Sequence, residues 1–152
     1  MLQKTLLALT AAALMFTGTV IADDAKADLE GVKCVVRDNP AKAEKSASYK
    51  DGKVFFCCGG CEGKFTENKE KYATNANRQL VATDQYEQKG CPVSGRDVDP
   101  DTAMKVAGVK VAFCCTGCKA KVEDAEDEKK IALVFGDKAF KNGFKKADAK
   151  KE

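Results

Sequence analysis

Two short segments of the chain each place a lysine before a run of three apolar residues that leads into a group of cysteines. The segments are KVFFC at residues 53–57 and KVAFC at residues 110–114. A short apolar segment that contains Val and Phe and follows a turn signal is typical of a strand. A turn signal, Asp51-Gly52 or Ala107-Gly108, lies just before each segment,. The pattern therefore predicts a strand that ends at a cysteine in both places.

After the cysteines the apolar spacing becomes helical. Cys61 and Phe65 fall on one face of a predicted helix, and Cys118 and Val122 do so in the second segment,. A C-terminal helix is predicted over residues 131–144, with an interruption or bend near Gly136,. Residues 75–90 are predicted to connect the two parts, with QLVATDQY as a candidate additional strand.

The chain contains an internal duplication. Four cysteines each have a counterpart at one constant offset along the chain, with no insertion between them: Cys34 with Cys91, Cys57 with Cys114, Cys58 with Cys115, and Cys61 with Cys118. Matched Val, Lys, Phe and Gly positions at the same offset support the repeat,. A unit of about 40 residues is too small to be held by apolar burial alone, so the cysteines are expected to stabilise it through a metal ion or disulfides.

The N-terminal segment, residues 1–22, is typical of a signal peptide. Met1 to Lys4 carry one positive charge, an apolar run follows to Phe16, and Ala22 precedes an acidic pair,. The apolar run is short for a membrane span. We therefore expect a secreted or periplasmic protein, cleaved after Ala22, with no stable membrane insertion after cleavage.

Composition excludes several classes of function. The chain has 152 residues, a net charge of +3, 8 Cys and no His. Lysines interleave with acidic residues, as on a solvated surface, so nucleic-acid binding is not expected. The absence of His excludes Ser–His and Cys–His nucleophile pairs, and no phosphate-binding glycine loop is present. We expect a non-enzymatic protein.

Three cysteines of each repeat are candidates for a metal site at the predicted strand-to-helix turn. Gly59-Gly60 and Thr116-Gly117 allow the backbone to bend there, so that N–H groups face the thiolates,. Sulfur ligands favour soft or borderline ions, which points to zinc, copper(I) or a heavy metal. The candidate ligands are Cys34, Cys57, Cys61, Cys91, Cys114 and Cys118.

Strand alternation separates the two adjacent cysteines. Phe56 and Cys58 share one face of the predicted strand, and Cys57 lies on the other,. Phe56 is kept as Phe113 in the second repeat, which indicates that its face is the core side. Cys58 is therefore predicted to pack inward as a small apolar residue, with Cys57 on the ligand side.

The same argument places Cys115 in the core and Cys114 at the ligand side. A competing assignment stays open, in which Cys58 and Cys61 ligate as a C-x-x-C knuckle. Cys58 and Cys115 are therefore alternative candidate ligands.

The cysteine pattern resembles the triad of the TRASH/YHS family of metal-binding modules. The match is Cys34, twenty-two residues, Cys57, three residues and Cys61, and it recurs in the second repeat around CPVSGRDVD and VKVAFCCTGCKAKV. The first repeat has CVVRD and FFCCGGCEGKF, followed by Tyr72. The resemblance covers about residues 34–74 and 91–130. The chain departs from the family by lacking His and by doubling the middle cysteine.

The resemblance implies a treble-clef-like β-hairpin and helix, with roles in heavy-metal sensing, trafficking or resistance. The expected fold class is small α+β, with two tandem hairpin-plus-helix (treble-clef or zinc-ribbon-like) modules and a C-terminal helix. The expected organisation is a signal peptide (1–22), a disordered linker (23–33), the first module (34–74), a connector (75–90), the second module (91–130), the C-terminal helix (131–144) and a charged disordered tail (145–152).

Two other functions remain open. An even number of cysteines in a secreted chain is typical of a disulfide-stapled interaction module. The C-x-x-C segments, residues 58–61 and 115–118, suit a thiol–disulfide redox protein, although neither repeat has room for a thioredoxin-like βαβ scaffold,. The leading hypothesis is an exported protein whose partner is a metal ion; a protein partner stays unknown.

Overall fold

The computed structural model describes residues 29–148, so the predicted signal peptide, residues 23–28 and residues 149–152 lie outside the described range. Within that range the protein is a small mixed α/β structure with hairpins and five helices. The elements are β1 (Lys42–Tyr49), β2 (Gly52–Phe56), α1 (Gly59–Glu67), α2 (Lys69–Ala82), β3 (Tyr86–Gln88), β4 (Asp99–Val106), β5 (Val109–Phe113), α3 (Thr116–Glu123), α4 (Asp127–Phe135), α5 (Asp137–Gly143) and β6 (Phe144–Lys146).

The duplication is visible in the element bounds. The offset that relates the cysteines also relates the elements: β4 begins and ends at the positions that match β1, and β5 at those that match β2. The first residue of α3 likewise matches the first residue of α1. Each hairpin is antiparallel, and its register shifts after the first pair of its first strand. That pair is Lys42 with Phe56 in one hairpin and Asp99 with Phe113 in the other. The two repeats therefore fold as the same hairpin followed by the same helix.

The second hairpin turns at its signal, Ala107-Gly108, and the first turns at residues 50 and 51, one residue before the predicted Asp51-Gly52, because Gly52 already belongs to β2. Ala107 and Gly108 have φ values of 47° and 88°, and Lys50, at the position matching Ala107, has a φ of 51°. Two consecutive left-handed residues are the requirement of a tight hairpin turn whose twist fits the strands, and glycine adopts this conformation without a Cβ clash.

One hydrophobic core joins the two repeats and the C-terminal helices. Phe56 and Phe113 are both fully buried in it, as expected for the kept aromatic position. Phe65 of α1 packs on Phe56 with ring centroids 5.4 Å apart, which fixes the helix against its hairpin. Phe135 and Phe140 extend the same cluster from the C-terminal end.

The segment between the repeats differs from the prediction. Residues 69–82 form the helix α2, so the strand predicted over QLVATDQY is wrong for Gln79–Ala82, and only Tyr86–Gln88 is extended. The buried positions Ala73, Ala76, Asn77 and Leu80 follow the i, i+3, i+4, i+7 pattern of a helix face,. Small and amide side chains carry too weak an apolar signal for this face to be recognised in the sequence.

The C-terminal region forms two helices and a strand. α4 and α5 meet at Gly136, where the sequence indicates a break, and β6 pairs with β3 in an antiparallel two-stranded sheet. Residues 145 and 146 therefore belong to a strand, in contrast to the disordered tail predicted from residue 145. Val32 is buried and Lys33 pairs with Pro40, so the predicted disordered linker is ordered near its end. In the described part of the chain, no helix has the length and apolarity to cross a bilayer.

Candidate metal centre

The sulfur atoms of three cysteines converge in each repeat. Their ligand atoms lie within 4.8 Å of one another in two groups: Cys34, Cys57 and Cys61, and Cys91, Cys114 and Cys118. These are the six residues that the spacing selects as primary ligand candidates. Tetrahedral coordination with Zn–S distances of about 2.3 Å places neighbouring sulfurs about 3.8 Å apart. The sulfurs of Cys57 and Cys61 are 3.6 Å apart, so the groups have the dimensions of a thiolate metal site.

The first cysteine of each triad sits in a short turn ahead of the hairpin. The N–H of Cys34 donates to the carbonyl of Asn39 at 2.8 Å, and the N–H of Cys91 donates to the carbonyl of Arg96 at 2.8 Å. The same backbone hydrogen bond thus closes both turns. Cys34 and Cys91 are 3% and 0% exposed, respectively, so each sulfur approaches the other two cysteines from the protein interior.

The other two cysteines come from the strand-to-helix turn. Cys57 directly follows β2, and Cys61 lies in the first turn of α1, where it is 1% exposed. In the second repeat the sulfurs of Cys114 and Cys118 are also 3.6 Å apart. The chain changes direction between the end of β2 and the first turn of α1, which brings the sulfur of Cys57 next to that of Cys61.

The inward packing predicted for Cys58 and Cys115 is wrong. Cys58 is exposed and Cys115 is half-buried. Strand alternation does not apply to Cys58, because β2 ends at Phe56 and Cys58 is the extended residue (φ −161°, ψ 164°) that caps α1. The turn rotates its side chain outward, to 3.9 Å from the sulfur of Cys57 and 3.6 Å from that of Cys61.

A buried glutamine links the two parts of the first triad. The side-chain oxygen of Gln79 accepts from the N–H of Phe55 at 2.6 Å, and its nitrogen donates to the carbonyl of Phe55 at 3.0 Å. The same nitrogen donates to the carbonyl of Lys33 at 2.9 Å. Lys33 precedes Cys34 and Phe55 stands two residues before Cys57. Gln79 therefore sets the distance between the two cysteine-bearing segments.

Gln88 makes the same three contacts in the second repeat. Its oxygen accepts from the N–H of Ala112 at 2.9 Å, and its nitrogen donates to the carbonyls of Ala112 at 2.6 Å and Gly90 at 3.0 Å. Ala112 and Gly90 are the counterparts of Phe55 and Lys33 in the repeat. Gln79 lies in α2 and Gln88 in β3, so the two glutamines are not related by the offset of the repeat. The repeat signal alone therefore could not have revealed them.

Burial and hydrogen bonding shift the pKa values of two thiols of the first repeat in opposite directions. Burial, followed by the hydrogen-bonded thiol of Cys57, raises the pKa of Cys61 to about 12. Burial also raises the pKa of Cys34, but backbone N–H groups of Cys57, Val36 and Arg37 outweigh it, and the net pKa is lowered. N–H groups aimed at sulfur stabilise the thiolate that a metal ion requires.

The second repeat adds a hydroxyl and a guanidinium. Ser94 Oγ is 3.2 Å from the sulfur of Cys114, and Arg96 Nη2 donates to that sulfur at 3.3 Å. The Ser94 contact is the main cause of the lowered pKa of Cys114. Burial raises the pKa of Cys118 to about 12, with Cys114 as the next cause. The arrangement favours a thiolate at Cys114.

All eight cysteines are free thiols in the structure. Sulfur separations of 3.6–3.9 Å within the first cluster are far longer than the disulfide bond length of about 2.05 Å,. The geometry is one of grouped thiols that could hold a metal ion in each repeat.

Comparison with known proteins adds no family to this picture. A scan against protein-family models, a search of curated proteins and a search of solved structures each found no match to the chain. The candidate sites therefore stand on the residues and their geometry.

Proposed function

We propose that this chain is an exported, non-enzymatic protein that binds a soft or borderline metal ion through cysteine thiolates in two repeated sites. The observation that supports this function best is the convergence of three sulfurs in both repeats. Two disulfides per repeat would need all four of its cysteines, including exposed Cys58, whereas the group that converges in each repeat consists of three. A metal ion uses all three.

The donor set limits the ion. With sulfur ligands and no His in the chain, zinc and copper(I) are the physiological ions that fit, together with heavy metals such as cadmium or mercury,. The work of the protein is metal handling or stabilisation of its own structure by the ion. The turn, hairpin and helix around each triad also support our proposal that the repeats are treble-clef-like modules of TRASH/YHS type.

Export is proposed from the signal-like sequence between Met1 and Ala22,. Its test is the mass of the protein recovered from its native host outside the cytoplasm: a mature chain that starts at Asp23 is expected. A chain that retains Met1 and stays in the cytoplasm would contradict it.

Native mass spectrometry of the exported chain tests metal binding. We expect two ions per chain, with the cysteine thiols protected from alkylation until a chelator is added. Cys34→Ser and Cys91→Ser form a matched pair, each expected to lose one ion and keep the other. A metal-free chain whose mass is eight hydrogens low would establish four disulfides instead and refute the metal function for the exported protein.

A thiol–disulfide exchange protein is the second candidate, favoured by one observation. Exposed Cys58 caps α1 with its sulfur 3.6 Å from that of buried Cys61. In such an exchange the Cys58 thiolate attacks a substrate disulfide and releases one thiolate. Cys61 then attacks the mixed disulfide, so the substrate leaves as a dithiol and residues 58 and 61 become oxidised. Catalysis of disulfide reduction that persists with metal bound would favour this candidate.

A further inference from the structure

The two repeats surround their middle cysteine differently, although their strands have the same bounds at the offset of the repeat. At Cys114, Ser94 Oγ and Arg96 Nη2 lie 3.2 Å and 3.3 Å from the sulfur. Both residues belong to the turn that also carries Cys91. This turn therefore supplies the triad with a ligand, a hydroxyl and a positive charge.

The first repeat has no such partners at Cys57. The counterparts of Ser94 and Arg96 in the first repeat are Arg37 and Asn39. Within residues 29–148, neither of their side chains hydrogen-bonds to the sulfur of Cys57. The side-chain contacts of that sulfur are with other cysteines, including exposed Cys58 at 3.9 Å.

The difference between the two triads affects how well each holds an ion, because a bound ion leaves a net negative charge on the thiolates. Three thiolates around a dication carry a net charge of −1, and around a monocation −2. A guanidinium that hydrogen-bonds a ligating sulfur offsets this charge, and loss of such an outer partner typically weakens a metal site by about 10–100-fold. The second triad has this support at Cys114, and the first does not have it at Cys57.

The exposed thiol of Cys58 favours exchange of the ion, whereas the guanidinium of Arg96 favours its retention. Cys58 lies against two ligands of the first triad, 3.9 Å from Cys57 and 3.6 Å from Cys61, while its own side chain faces solvent. A thiolate in this position can take over the ion as another ligand leaves, which lowers the barrier to ligand exchange. Its counterpart Cys115 is half-buried and sits beside Cys114, the residue that Ser94 and Arg96 contact.

We propose that the two triads are inequivalent: the second retains its ion with the help of Arg96 and Ser94, and the first exchanges its ion with external thiol ligands through Cys58. This rests on the proposed function, because each triad must first hold an ion. The duplication then provides one retained site and one transfer site. The acceptor is a soluble molecule or protein that presents thiolates.

The test follows the release of cadmium from the reduced, full exported chain loaded with two ¹¹³Cd²⁺ ions. Correlation of each ¹¹³Cd resonance with the cysteine Hβ protons assigns the ions to their triads without mutation. Excess glutathione is then added, and each resonance is followed with time. We expect two phases, with the ion of the first triad released first.

Three variants connect the phases to the residues. Arg96→Gln is expected to speed release from the second triad by about tenfold and to leave the first unchanged. Cys58→Ser is expected to slow release from the first triad, and Cys115→Ser to have a smaller effect on the second. Lys129→Gln is the charge control, because it removes a positive charge whose ion pair is with Glu126.

The outcomes separate the two proposals. Release of both ions at one rate, or an Arg96→Gln effect on the first triad, would overturn the inequivalence and leave the proposed function intact. Equal effects of Cys58→Ser and Cys115→Ser would overturn the exchange role of Cys58. A chain that takes up no cadmium before the challenge would overturn the proposed function and this inference with it.

Discussion

Replacement of Gln79 by Met tests whether the buried glutamine positions the first triad. Met keeps a similar length and volume and has a similar helix propensity, so α2 itself should be little affected. The variant removes all three hydrogen bonds that the Gln79 amide makes with Phe55 and Lys33. The perturbation is thus confined to the bridge between the two cysteine-bearing segments.

The cost follows from the groups that lose their partner. The N–H and carbonyl of Phe55 are both in buried hydrogen bonds, and Gln79 itself is 1% exposed. Each buried polar group left unpaired costs about 1–3 kcal/mol. The carbonyl of Lys33 is half-buried and can bind water instead, so we expect a loss of about 2–6 kcal/mol in the free energy of unfolding from the two groups of Phe55,. Small domains have a total of about 5–15 kcal/mol, so the effect is easily measured.

Urea unfolding of the reduced, metal-free variant gives the stability, and a cadmium titration followed by ¹¹³Cd NMR gives the affinity of each triad. Beyond the stability loss, we expect the first triad to bind at least about tenfold more weakly, since Cys34 and Cys57 are no longer held at a fixed separation. Gln88→Met is the matched variant and should weaken the second triad instead.

Two results would refute the positioning argument. One is a stability loss below about 0.5 kcal/mol, which is the range of ordinary surface substitutions. The other is an equal loss of affinity at both triads in either variant, since that would indicate general destabilisation and not the local loss of a bridge.

Three further predictions concern metal, pH and backbone. Removal of metal by a chelator should lower the free energy of unfolding by about 4 kcal/mol per site when the free ion had been at 1,000 times Kd, as measured by urea unfolding followed by circular dichroism; no change would exclude tight sites. Because the pKa values of Cys61 and Cys118 are raised from 9.0 to about 12 in the fold, the unfolded metal-free chain loses these protons first, and its stability should fall as pH rises from 9 towards 12,. The metal-loaded chain, already deprotonated at these two thiols, should show a smaller fall in the same series, with the remainder due to Tyr49, whose pKa burial raises to about 12,. Gly136→Ala should cost about 1–3 kcal/mol in thermal unfolding, because its Cβ would lie 2.5 Å from the carbonyl oxygen of Ala132,. Gly63→Ala, whose Cβ meets nothing within 4 Å, should instead stabilise α1, and equal effects of the two changes would contradict the steric argument,.

The repeat made much of the fold predictable. Short apolar segments indicated β2 and β5, and the turn signals indicated the reversal of the second hairpin and, to within one residue, that of the first. α2 was not predicted because its buried face consists largely of Ala, Asn and Gln, which a search for apolar periodicity does not register. β6 was missed because only Phe144 among its three residues is apolar, and its pairing with β3 is a tertiary event.

The site was predictable where spacing dictates it. Two cysteines that flank a short strand-to-helix turn were expected to lie close together, and the repeat supplied Cys34 and Cys91 as partners. The outward direction of Cys58 was not predictable, because it depends on where the strand ends and not on alternation. The roles of Gln79 and Gln88 could not be predicted either, because the two glutamines lie in different elements and are recognised only by their hydrogen bonds.

The shared core indicates whether an ion in these sites is cargo or is required to hold the fold together. A metal module of about 40 residues that stands alone usually depends on its ion to fold. Here the buried residues of both repeats, α2 and the C-terminal helices form one cluster that runs from Cys34 to Phe144. Such a core does not depend on the ion in the way that a single small module does. The metal-free chain is therefore expected to stay folded while losing stability, which leaves an ion free to exchange without unfolding the protein. That property is what a transfer site in the first repeat requires, and it would be lost if chelation unfolded the chain.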